Sequence, residues 1–62
     1  MMNEFMNAHD ISAELGISRS FAYKIIRKLN EELKDKGYFV ISGKVPRRYF
    51  NFRFYIKPHQ TE

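Results

Sequence analysis

The sequence predicts a small α+β domain with two N-terminal helices, a β-hairpin and a short C-terminal helix or strand. Three observations carry this. Apolar residues recur at helical spacing from Ala8 to Leu33, broken only at Gly16. The texture then turns aromatic and β-branched at Tyr38-Phe39-Val40-Ile41. A turn signal, Ser42-Gly43, separates that run from Lys44-Val45. The 62 residues make one domain at most, and so short a chain buries only about 60% of the surface it exposes when unfolded. With no cysteine, neither a disulfide nor a thiolate zinc site supplements the core. At 44% hydrophobic and 16% aromatic the chain is too apolar for a disordered tail. One domain over 1–62 is expected, with its ordered core over about 7–57.

Asn7 is positioned as the N-cap of the first helix, and Asp10, three residues on, completes a capping box. Ala8, Ile11 and Leu15 fall on one side. Gly16 permits the positive φ of a tight turn, so the helix is expected over Ala8 to Leu15.

Ser18 is the N-cap of the second helix. Ala22, Ile25, Ile26, Leu29 and Leu33 fall within about 100° of arc, with Ser20, Lys24, Arg27 and Glu31 opposite and Phe21 flanking the apolar stripe. Gly37 ends it, which gives Arg19 to Lys36, roughly 27 Å at about 1.5 Å per residue.

Tyr38–Ile41 then reads as the first hairpin strand and Lys44-Val45 as the return. Pro46 cannot donate to a ladder, so it ends that strand or opens a helix. Phe50, Phe52, Phe54 and Ile56 alternate like a strand, whereas Tyr49, Phe50, Arg53 and Phe54 line one helical side. The helix is the favoured reading, with a loose tail after Pro58. Seven of the ten aromatics lie between Tyr38 and Tyr55. Most are expected to pack the hairpin against Leu29 and Leu33. The alternatives are an exposed patch for self-association or a partner, and stacking on unpaired bases between Arg47, Arg48 and Arg53.

Charge is informative by position. Residues 1–18 carry Glu4, Asp10 and Glu14 and no Lys or Arg. Arg19, Lys24, Arg27 and Lys28 follow within ten residues, and Lys44, Arg47, Arg48, Arg53 and Lys57 form a second basic block. Two such blocks on a chain of net charge +4 suit contacts with a polyanion. Catalysis is not expected: His9 and His59 are far apart, the three glycines form no phosphate loop, and no base accompanies any serine. No cofactor, metal, membrane or small-molecule partner is expected. No apolar run reaches the roughly 20 residues of a membrane span. With no export signal in the given sequence and no cysteine, the expected location is cytoplasmic.

Two helices joined through Gly16, the second basic in its N-terminal half, match a helix-turn-helix. The stretch Asp10 to Ile26 carries it: Ile11, Leu15, Ile17, Ala22 and Ile25 where the helices meet, and Ser12 where a small residue is needed at the crossing. The B-DNA major groove, about 12 Å wide, admits one helix, and residues near the second helix's N-terminus reach base edges. The expected DNA-binding residues there are Ser18, Arg19, Ser20, Tyr23, Lys24 and Arg27. A hairpin following this helix is a wing, with Lys44 near its tip by a phosphate or the minor groove, and Arg47 and Arg48 behind it. The bland alternative for each of these is a solvated charged face.

The string Gly43-Lys-Val-Pro-Arg-Arg-Tyr-Phe50, with Lys36-Gly37-Tyr38 before it, resembles the wing-to-helix step of small excisionase-like proteins of mobile elements, related to MerR-type winged helices. The resemblance covers roughly Asn7 to Tyr55. The long second helix and the ending Phe52-Arg53-Phe54-Tyr55 depart from the commoner pattern. It implies a winged helix-turn-helix that binds double-stranded DNA sequence-specifically, either as a transcription regulator or as an architectural factor beside a tyrosine recombinase. Neighbouring copies on DNA are expected to touch through the wing or the segment Tyr49 to Tyr55. The rival reading is a small protein-interaction module, such as a phage-type inhibitor that turns its basic face to an acidic protein.

Overall fold

The computed structural model describes residues 4–55. The order is β1 (Phe5–Asn7), α1 (Ala8–Leu15), α2 (Arg19–Asp35), β2 (Lys44–Pro46) and α3 (Arg47–Phe54). Both N-terminal helices start and stop where their local signals place them. The Asn7 side chain accepts from the Asp10 backbone N–H at 2.9 Å, while the Asp10 carboxylate accepts from the Asn7 N–H at 3.1 Å. Gly16 ends α1 in the left-handed region at φ 68°. Ser18 caps α2 by accepting from the Phe21 N–H at 3.1 Å. At its far end the N–H groups of Gly37 and Tyr38 donate to the carbonyls of Lys34 and Leu33 at 3.0 Å each, with Gly37 at φ 94°. These bonds close a Schellman motif, which satisfies carbonyls that the helix end would leave bare.

The core is Met6, Ala8, Ile11, Ala22, Ile26, Leu29, Leu33, Val45 and Phe50, with Leu15, Ile17, Ile25, Val40 and Tyr49 packed against it half-buried. Ile11 and Ala22 are fully buried in the core that α1 and α2 share. Ile26, not Ile25, is the deeper of the adjacent pair on α2.

The sheet differs from the expected hairpin. β2 pairs antiparallel with β1, in the register Phe5 with Pro46, Met6 with Val45 and Asn7 with Lys44. The Arg47 N–H extends the pairing to the Glu4 carbonyl at 2.8 Å. Residues 38–41 form no strand. The reason lies in the turn and in Asn30. Lys44 N–H donates to the Ile41 carbonyl at 3.1 Å across a turn whose positive φ falls at Gly43 alone. That is the pattern of an unprimed turn, which splays the flanking chains instead of matching their twist. Asn30 Nδ2 then donates to the carbonyls of Ile41 at 3.2 Å and Lys44 at 3.0 Å. A side chain thus does what a ladder would have done.

The aromatic segment is the second correction. α3 is a helix, as favoured, with Pro46 as its cap residue. Only Phe50 of the seven aromatics enters the core, and Tyr49 is half-buried. Tyr38, Phe39, Phe52, Phe54 and Tyr55 are exposed, Phe39 completely. With the strand at 38–41 unformed, only Val40 of that run packs inward, and the other rings have no sheet to lie against. The expected tail after Pro58 lies outside the described residues, as do Lys57 and His59.

Candidate nucleic-acid interface

α1 and the Gly16 turn brace α2, whose N-terminal half projects its polar side outward. Ser20, Tyr23, Lys24, Arg27 and Glu31 share about 100° of arc, and all of them are exposed. Tyr23 keeps 49% of its surface accessible. None of these five packs into the core, so this face is free to meet a ligand.

Two residues at the start of α2 are partly committed. The Ser18 hydroxyl accepts from Phe21 N–H as the helix cap, which leaves its own proton to donate. Arg19 donates through Nη2 to His9 Nδ1 at 2.7 Å, tying the guanidinium back to α1. Arg19 therefore sits at the junction of the two helices, at the edge of the face.

The loop of residues 37–43 runs along one flank of this face. Arg27, Glu31 and Lys34 of α2 and Val40, Ser42 and Gly43 of the loop bound a shallow groove, with Ile26 and Asn30 beneath. Lys44, exposed at the start of β2, stands at the base of this loop. The structure thus brings the loop beside Arg27, with Lys44 following it in the chain. It does not bring Arg48 there: Arg48 lines a separate groove with Tyr38, Pro46, Tyr49, Asn51 and Phe52. Arg47 is half-buried where β2 runs into α3.

Asn30 is the residue that sequence reasoning passed over. It lies at the edge of the apolar stripe one turn after Ile26, is 9% exposed, and holds the loop by both of its amide protons, while its Oδ1 has no partner among the described residues. An amide inside a run of core positions was the available signal, because a buried polar side chain must find partners.

A second polar cluster fixes α3. Arg53 donates to Glu32 through Nε at 2.8 Å and Nη2 at 2.6 Å, and the Tyr49 hydroxyl donates to the same carboxylate at 2.6 Å. The Arg53 bonds, then that of Tyr49, hold the Glu32 carboxyl down at about 2, and Glu32 in turn raises Arg53. Lys36 Nζ lies 5.1 Å from the Tyr49 ring centroid. Tyr55 donates to Glu14 at 3.1 Å; partial burial, then this carboxylate, raises its phenol. Among the described residues no group of acidic and histidine side chains could hold a metal ion. No described helix is long and apolar enough to cross a membrane.

The comparisons with known proteins agree with this architecture. Residues 1–55 match the family model of the Mga helix-turn-helix domain. The chain is also 48% identical over 50 residues to the ICEBs1 excisionase of Bacillus subtilis (strain 168), covering 81% of this chain and 78% of that protein. No solved structure matches it. A match over nearly the whole described chain, with the braced α1–turn–α2 unit inside it, means that the chain belongs to the Mga helix-turn-helix domain family and is a homologue of that excisionase.

Proposed function

We propose that this protein is an excisionase of an integrative mobile element, which binds double-stranded DNA and acts by occupancy and bending, not by chemistry. The observation that carries the reading is the exposed arc Ser20, Tyr23, Lys24 and Arg27, held outward by α1 on a helix that fits the major groove. Lys24 and Arg27 reach guanine edges; Ser18, Arg19 and Ser20 serve phosphates or bases at the helix start. The 37–43 loop takes the place of a wing, with Lys44 at its base against the backbone, and Arg47 and Arg48 add to the field from α3. The resemblance to excisionase-like proteins implies a tyrosine recombinase as the protein partner on DNA, and the small footprint supports pairs of copies on adjacent sites.

The test is binding of the full chain to duplexes selected from a random pool, followed by fluorescence anisotropy across a salt series. With about five to seven phosphates neutralised, the log–log slope should be roughly −5 to −6. No binding to any duplex at low salt refutes the proposal.

A further inference from the structure

The opposite flank of α2 carries a groove that shares only Lys24 with the DNA face. Its floor is Phe21, Ile25, Leu29 and Phe54, its rim is Lys24, Lys28 and Arg53, and its volume is about 410 Å³. Its walls are fixed. The Phe54 ring packs on Phe50 with centroids 4.7 Å apart, and the two bonds from Arg53 to Glu32 hold α3 against α2. Phe21 and Phe54 nevertheless stay 52% and 41% exposed, so two large rings face solvent across a preformed cleft. Glu32 offsets the Arg53 charge, which leaves Lys24 and Lys28, one helical turn apart, to set the field at the rim. Among the described residues no carboxylate lines it.

The occupant must suit both properties. A phosphate backbone would use the two ammonium groups but leave the aromatic floor wet. A purely apolar segment would cover the floor but draw the cations out of water without compensation. A segment with apolar side chains about one helical turn apart, flanked by carboxylates, satisfies both. We propose that this groove docks a short acidic amphipathic segment of a partner protein, its apolar side chains on Phe21, Ile25 and Phe54 and its carboxylates on Lys24 and Lys28. Lys24 also belongs to the arc assigned to DNA, so the duplex and the docked segment meet at that side chain. The groove stands on its own lining, whatever the fate of the DNA reading.

The experiment is selection of a displayed random peptide library, about a dozen residues long, on the full chain, with enriched peptides then titrated onto the isotope-labelled protein. Enriched sequences should be acidic, with two apolar or aromatic residues three or four positions apart. Amide shifts should concentrate at Phe21, Lys24, Ile25, Lys28 and Phe54. Lys28→Glu, an exposed change that leaves the core intact, should weaken these peptides about five- to tenfold, and Lys28→Arg should restore them. Failure to enrich any peptide overturns the proposal. So do enriched sequences that are neutral or basic, shifts that map elsewhere, or inorganic polyphosphate that reproduces the same shifts at the floor residues.

Discussion

Replacing Asn30 by alanine should release the 37–43 loop and cost the domain a large part of its stability. The side chain makes two hydrogen bonds, to the carbonyls of Ile41 and Lys44, at a position 9% exposed. Each such bond contributes about 0.5–1.5 kcal/mol net, and a buried carbonyl left unpaired costs about 1–3 kcal/mol. Both bonds are part-buried, so water reaches the carbonyls in part, and the Ile41 carbonyl keeps the Lys44 N–H as a second donor. Asn30→Ala also removes Oδ1, which has no partner among the described residues, and this returns some of the loss. The balance is about 2–3 kcal/mol. Against a total of roughly 3–9 kcal/mol for a domain this size, and about 4–8 °C per kcal/mol, the melting temperature should fall by about 10–20 °C. Asn30→Asp should be worse at neutral pH, since it sets an oxygen against two carbonyl oxygens. Urea denaturation followed by circular dichroism measures the loss, and hydrogen exchange at the Lys44 N–H reports the loop directly. A change of less than about 0.5 kcal/mol with unaltered exchange would refute the idea that this amide replaces the missing strand pairing.

Lys24→Ala or Arg27→Ala should cost about 1–3 kcal/mol on a selected duplex and relax base preference, whereas Lys44→Ala should weaken all duplexes evenly and flatten the salt slope by about one unit; anisotropy on matched and mismatched duplexes separates the two patterns. Glu32 lowers its pKa on folding, so its stabilising contribution is complete above its ordinary value of 4.5 and is lost as pH falls toward about 2. Thermal melts between pH 6 and pH 2 should therefore show Glu32→Gln losing less than the wild type in that window, though it starts lower. Met6→Ala should cost about 2–5 kcal/mol despite its nearness to the chain start, because Met6 is 1% exposed opposite Val45; a near-neutral urea midpoint would contradict the β1–β2 register.

The helices were legible because their signals are local. Asn7 with Asp10, Gly16, Ser18 and Gly37 each act within a few residues, so the string alone places the ends of α1 and α2 to within a residue. β1 was not legible. Phe5-Met6-Asn7 is too short to alternate, and its partner lies across most of the chain, at Val45. The run Tyr38–Ile41 has real strand propensity, but propensity describes fit to a half-buried pleated surface. Here β1 takes one edge of β2, and Asn30 takes carbonyls that flank the loop. The aromatics misled for a related reason. Phe50 is fully buried, and α1, α2, β1 and β2 supply the rest of the core, so the remaining rings are left over. At the candidate interface, the exposed arc of α2 was legible from its period. The separation of Arg48 from that arc was not, because it depends on where α3 docks.

That docking has a consequence for how such a protein can change. Among the described residues α2 contributes five of the ten that are buried, and the same helix presents the basic arc and one wall of each groove beside it. Fold and the recognition proposed for this arc are therefore written on one helix, but at different angles. Lys24, Arg27 and Ser20 are exposed, so under the proposed function substitutions there should alter what is recognised at little cost in stability, within about 0.5 kcal/mol for ordinary surface changes. Asn30 and Glu32 sit between those arcs and hold the loop and α3 in place, and Leu29 lies in the core arc itself. A shift at any of these three moves a groove wall as well as the fold. Recognition can thus drift along the outward arc while the flanking positions stay constrained. Variants of this domain selected for new duplexes should accordingly accumulate changes at positions 20, 23, 24 and 27, and spare 29, 30 and 32.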